Sequence, residues 1–142
     1  MKNKKGFTLI ELLAVIAIIG IISLIAIPNI IGLSIGIRKD NMLDDAKKLI
    51  SLAKYKINSD IILRETQPQT FTMAELNING DLDVDPDGGH YDQNNSTVTY
   101  RKVNNVAEYC IKLIGSKRGI GISECVPESS LYSRSNVVDI EN

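Results

Sequence analysis

The sequence predicts an α+β fold: a long N-terminal α-helix, transmembrane in its first half and amphipathic in its second, packed on a small antiparallel β-sheet. Three observations carry this. From Leu12 to Ile37 there is no charged residue, and a helix rising about 1.5 Å per residue over such a run crosses a hydrocarbon core of about 30 Å. From Met42 onward, apolar residues recur at spacings of three and four. Beyond Thr97, short alternating runs separated by Asn104-Asn105 and Gly115-Ser116-Lys117-Arg118-Gly119 read as strands and turns.

The chain opens on a short basic stretch, Met1-Lys2-Asn3-Lys4-Lys5-Gly6. A secretory signal would have an apolar region of about 7–15 residues and small residues at its cleavage site. Here the run is longer and leads straight into a second helical pattern. Glu11 sits just inside the leading edge of the run, where an acid is costly in lipid and marks a functional position. Pro28 removes a backbone bond to Leu24 and, with Asn29, Gly32 and Gly36, predicts a weak stretch in the helix. The amphipathic half buries Met42, Leu43, Ala46, Leu49, Ile50, Ala53, Ile57 and Ile61 on one face. Asp44 and Lys48 form an i,i+4 pair on the other. One continuous helix from Phe7 to Asp60 is expected.

Gln67-Pro68-Gln69 marks a loop, and Thr72-Met73-Ala74-Glu75 fits a capping box opening a short helix that ends at Asn79-Gly80. A turn-rich acidic run from Asp81 to Tyr91 follows. Three strands are expected, over Thr97–Val103, Val106–Ile114 and Ile120–Val126, with a fourth edge strand open to the C-terminal tail.

The segment Lys5-Gly6-Phe7-Thr8-Leu9-Ile10-Glu11, with its apolar run and Pro28, resembles the N-terminus of type IV prepilins and pseudopilins. A looser resemblance follows in order at Leu76, Gly80, Asp85-Pro86, Gly88-Gly89 and Tyr91, as in pseudopilins and some Gram-positive pilins. The resemblance implies the pilin fold and four regions: a leader over 1–6, a transmembrane and filament-core half-helix over 7–37, an amphipathic half over 38–60 and a globular head over 61–142. It implies a membrane peptidase and N-methyltransferase that cuts between Gly6 and Phe7 and methylates Phe7. The processed chain would be a single-pass membrane protein, leader inside and head outside. It would then join copies of itself and other pilins in a helical surface filament, drawn from lipid by an ATP-driven machine. Pro28–Gly36 would be the soft segment of the fibre. A secretion or competence pseudopilin, and a minor tip pilin acting as adhesin or DNA binder, are the rival implications. Motility, adhesion and secretion are the associated processes.

Removing residues 1–6 takes away three lysines from a chain of net charge -1, so the product has no general affinity for nucleic acid. Glu11 then lies four residues from a new ammonium at Phe7. A buried carboxylate beside a buried ammonium is tolerable where either alone is expensive, so the Glu11 of one copy meeting the Phe7 amine of another would select axial register. Cys110 and Cys125 face one another in a regular hairpin centred between Lys117 and Arg118. A bridge is sterically open there, two unlinked core cysteines being the alternative. Asp83, Asp85 and Asp87 with Gly88 repeat the start of a calcium loop, but Asn94 stands where its bidentate glutamate belongs. Calcium is thus the one candidate ligand, and no cofactor is required. The single histidine, His90, has no partner at nucleophile spacing, and no phosphate loop, HExxH or CxxC occurs, so no enzyme is expected. Lys117-Arg118 is a small basic turn tip, and Asn94-Asn95-Ser96-Thr97 holds two glycosylation-type sequons.

Overall fold

A computed structural model describes residues 6–65 and 67–140, with the side chains of 25–31 outside that description. The expectations for Lys2, Lys4 and Lys5 of the leader fall outside the described residues, as does the Pro28 side chain, whose backbone lies within a helix assigned from Leu9 to Ser59. The chain divides into two compact units, Met1–Gly36 and Ile37–Asn142.

Helix α1 runs from Leu9 to Ser59. Within the first unit its described apolar side chains are exposed all round, among them Leu12, Ile16, Ile19 and Ile22. A helix apolar on every face is one that a membrane or other helices cover. Among the described residues no helix is long and apolar enough to cross a membrane. The uncharged run of the sequence passes through residues 25–31, which lie outside that set.

In the second unit the expected stripe is buried: Met42, Leu43, Ala46, Leu49, Ile50, Ala53 and Ile57 are each 4% exposed or less. Ile61 departs from it and is exposed. The helix breaks at Asp60, whose carboxylate accepts from the Ile62 and Leu63 amides at 2.8 and 3.4 Å. That caps a new short helix, α2 (Ile61–Glu65), and turns Ile61 off the stripe. Asp44 pairs with Lys47 at 3.1 Å rather than with Lys48.

The stripe packs on an antiparallel sheet of six strands, more than the three to four expected. They are β1 (Gln69–Thr72), β2 (Thr97–Val103), β3 (Val106–Ile114), β4 (Arg118–Ile120), β5 (Val126–Pro127) and β6 (Val137–Asp139). Their order is β1-β2-β3-β4-β6, with β5 also on β3. Val98, Tyr100, Tyr109, Ile111, Leu113 and Ile120 join the helix residues in one core. Strand β1 starts at Gln69, the last residue of the expected loop, where no strand was expected. Its last residue, Thr72, is at once a strand partner of Thr97 and the N-cap of α3 (Met73–Leu76). Asn104 and Asn105 have φ of 51° and 64°, the left-handed pair a two-residue hairpin turn requires.

The expected third strand, Ile120–Val126, is broken. β4 pairs with β3 at Leu113↔Ile120 and Ile114↔Gly119, around the turn Ser116-Lys117, one residue earlier than expected. β5 pairs with the same strand at Cys110↔Pro127 and Ile111↔Val126. The two registers do not continue into each other, and the chain between them bends over Gly121–Glu124. Gly121 has φ +66°, and a Cβ there would lie 2.5 Å from the Ile111 carbonyl, so a side chain would block the bend.

Candidate functional site: the start of the long helix

Gly6, Phe7 and Thr8 precede the helix in non-helical backbone, and Phe7 is 89% exposed. Gly6 and Phe7, where the sequence places the cleavage, thus lie in exposed, non-helical chain. Thr8 is followed directly by the first helical residue, and its carbonyl accepts from Leu12 at 3.2 Å. Its N–H and hydroxyl both donate to Glu11 Oε2, at 2.9 and 3.0 Å. The Glu11 amide donates back to Thr8 Oγ1 at 3.3 Å. Thr8 and Glu11 thus form a capping box that satisfies two amides at the helix start. The cap at Thr8 is a feature that the reading of the sequence passed over. Its signal, Thr-x-x-Glu, is the one that correctly located α3 at Thr72–Glu75.

The acidic loop does not gather its carboxylates. Asp83 accepts from the Asn77 side-chain amide at 3.0 Å. Asp85 is 3% exposed and accepts from the amides of Asp87, Gly89 and Ser116 at 2.8, 3.1 and 2.5 Å. Burial pushes its pKa up, but the hydrogen bonds from Ser116, Gly89 and Asp87 outweigh that and hold it below the ordinary aspartate value. Asp87 takes the guanidinium of Arg118 and, at 3.2 Å, that of Arg38. Among the described residues no three His, Cys, Asp or Glu side chains are placed to hold a metal. The loop is a clasp: Asp85 closes the turn, and Asp87 ties it to helix α1 and to β4.

Cys110 and Cys125 are bridged, with Cα atoms 5.6 Å apart. They do not face each other in a regular hairpin. The bend at Gly121–Glu124 brings Cys125 alongside β3, next to the residue paired with Ile111. Arg118 is engaged by Asp87 and Asp139, so the basic tip does not present two unpaired cations. His90 is exposed and pairs with Val84 in an isolated bridge. In the sequons, the Asn95 side-chain amide donates to Asp92 at 2.8 Å, and Ser96 is buried with its hydroxyl on the Ile114 amide.

Residues 1–27 match a family model described as the prokaryotic N-terminal methylation motif. No curated protein and no solved structure matches the chain. The match places Gly6, Phe7, Thr8 and Glu11 inside the motif that directs processing by prepilin peptidase. Residues 1–27 thus carry an N-terminal methylation motif, the type IV pilin and pseudopilin signal, on a chain of α+β fold.

Proposed function

We propose that this protein is a structural subunit of a type IV pilus or a closely related surface filament. The observation that carries this reading is the methylation motif over residues 1–27, with Glu11 as the fifth residue of the chain that cleavage after Gly6 would leave. On this reading the uncut chain is anchored by its apolar run, head outside. The peptidase cuts between Gly6 and Phe7, and the Phe7 amine is methylated while keeping its charge. In the filament the exposed apolar faces of α1 in the first unit cover one another, exchanging lipid for protein contact. The Glu11 carboxylate of one copy neutralises the Phe7 ammonium of another, which sets axial register because either charge left alone in an apolar core is strongly unfavourable. Residues 28–36 act as the soft segment of the packed helices.

The test is electron microscopy of cell-surface fibres labelled against this chain, in the wild type and in Glu11→Ala. Labelled fibres are expected in the wild type. In the variant, processing at Gly6–Phe7 should persist, read by mass of the mature chain, while labelled fibres are lost. Fibres of normal number and length in Glu11→Ala would sink the register mechanism, and unlabelled fibres in the wild type would sink the pilus reading.

A further inference from the structure

We infer that the end of the second unit that carries Arg38 is a contact surface for anionic phospholipid headgroups, engaged while the chain is still anchored. The inference rests on the anchored stage of the proposed function. The uncharged run of the sequence ends at Ile37, and Arg38 and Lys39 follow it directly. Within the unit Ile37–Asn142 the fold gathers basic residues from two distant segments around this pair. The Arg38 and Arg118 guanidiniums share Asp87 Oδ1, which brings the turn Ser116-Lys117 beside Arg38. Gly115 fixes the level of that turn on the helix, since a Cβ there would lie 3.3 Å from Met42 Cε. Arg134 holds the Asp40 carboxylate through two bonds, at 2.6 and 2.5 Å. The Lys39 ammonium donates to the Val137 carbonyl at 3.2 Å. Arg38, Lys39, Lys117 and Arg134 thus meet at one end of the unit, the end that directly follows the apolar run.

The charges of this end are sorted by depth. Asp85 and the Asp87 carboxylate are buried, and each is met by donors of the protein itself. Lys117 is exposed, and so are large parts of the Arg38 and Arg134 side chains. The exposed acids here are Asp40, held by Arg134, and Asp139, held by Arg118. Among the described residues no carboxylate pairs with the Lys117 ammonium. The outer face is therefore cationic, although acids outnumber bases over residues 37–142. Val138, exposed on β6 opposite Gly119, adds an apolar side chain nearby. Basic residues with an exposed apolar neighbour suit the boundary between headgroups and acyl chains, where each cation gains from an anionic surface. The acidic unit as a whole repels a free polyanion, whereas a bilayer meets this end alone.

The test uses the full-length chain in nanodiscs of phosphatidylcholine, alone or with a minority of phosphatidylglycerol. A trace of lipid with a gadolinium-chelate headgroup is included, and paramagnetic broadening of the amide NMR signals is read. With phosphatidylglycerol the Lys117, Arg118 and Arg134 amides should broaden more than in phosphatidylcholine alone. Asn104 and Asn105 should not change, because β2 leads them to the other end of the unit, where the Tyr100 hydroxyl donates to the Arg64 carbonyl. Lys117→Glu should reduce the excess broadening about fivefold, the scale of one basic residue at an anionic surface, and Lys117→Arg should keep it. Unchanged Asn104 and Asn105 signals in Lys117→Glu report an intact fold, and high salt should reduce the excess in the wild type without any substitution. Equal broadening in the two lipid compositions overturns the inference, as does an excess that survives both Lys117→Glu and high salt. Inorganic phosphate added to the phosphatidylcholine discs separates the sources. If it shifts the same amides as strongly as phosphatidylglycerol does, the site takes free phosphate and the lipid assignment falls. A chain that enters neither disc defeats the anchored reading, whereas a chain that enters both and broadens equally defeats this inference alone.

Discussion

At Asp85, burial and hydrogen bonding act in opposite directions on a single carboxylate, and hydrogen bonding wins. Its folded pKa is lowered, so the stability it contributes is present above its unfolded value of about 3.9 and is lost as pH falls through the folded value. Asp85→Asn, which keeps the shape but places an amide against the donors of Asp87, Gly89 and Ser116, should lower stability at pH 7 by about 1–3 kcal/mol. The difference from the wild type should narrow below about pH 4, where the unfolded chain's carboxylate takes up its proton, and should close as pH falls through the lower folded value. Urea unfolding at pH 7 and at pH 3 measures both; an equal difference at the two pH values would show that charge plays no part. The spacing of Asp83, Asp85 and Asp87 announced a turn. It did not announce that Arg38, distant in sequence, would neutralise Asp87, because such a contact forms only when helix α1 and the loop pack together. Thr8 differs: its partner is three residues away, so its role was readable from Thr-x-x-Glu alone.

Among elements, the amphipathic half of α1 was the most legible, because a stripe of period 3.6 has only one face to bury. Leu49 is fully buried, and Leu49→Ala should destabilise by about 2–5 kcal/mol, whereas exposed Lys48→Ala should change stability by less than about 0.5 kcal/mol. Thermal denaturation of the two variants tests the contrast, and a similar loss in both would contradict the assigned face. The strands after β3 were less legible. A regular hairpin would have opposed the two cysteines directly, but Gly121–Glu124 shifts the register and the bridge holds Cys125 beside β3 after the shift. Replacing both cysteines by serine should cost about 2–3 kcal/mol, the scale for a closed loop of 15 residues. Guanidinium unfolding of oxidised and double-serine chains should show it, and identical midpoints would mean that the bend holds without the bridge. Strand β1 was missed because four residues carry too little alternation to stand out, and because Thr72 belongs to two elements at once.

At the scale of the whole molecule, the buried core found among the described residues lies between Met42 and Val137, inside the unit Ile37–Asn142. That unit has its own core, sheet and disulfide, and the described apolar residues of the first unit contribute nothing to it. A fragment beginning at Ile37 should therefore fold alone, with a single cooperative unfolding transition and dispersed amide signals. Circular dichroism and NMR of that fragment decide the matter; a non-cooperative melt would mean that the first unit is needed. The described apolar residues of the first unit are exposed, and the proposed filament core would cover them.

The sequence alone determined the features that depend on near neighbours: the methylation signal, the uncharged run, the buried stripe, the Asn104-Asn105 turn and the capping box at Thr72. Each follows from the chemistry of residues within a turn or two of one another. Only the tertiary structure decided the number of strands, the register shift that brings Cys125 to Cys110, and the engagement of Asp83, Asp85 and Asp87 by separate partners. Those outcomes depend on which distant side chains are brought together, and sheet register and ion pairing are settled by packing rather than by local preference. The start of the long helix lies between the two cases. Its motif is local, and the structure adds that Thr8 already holds the acid on which assembly is proposed to depend.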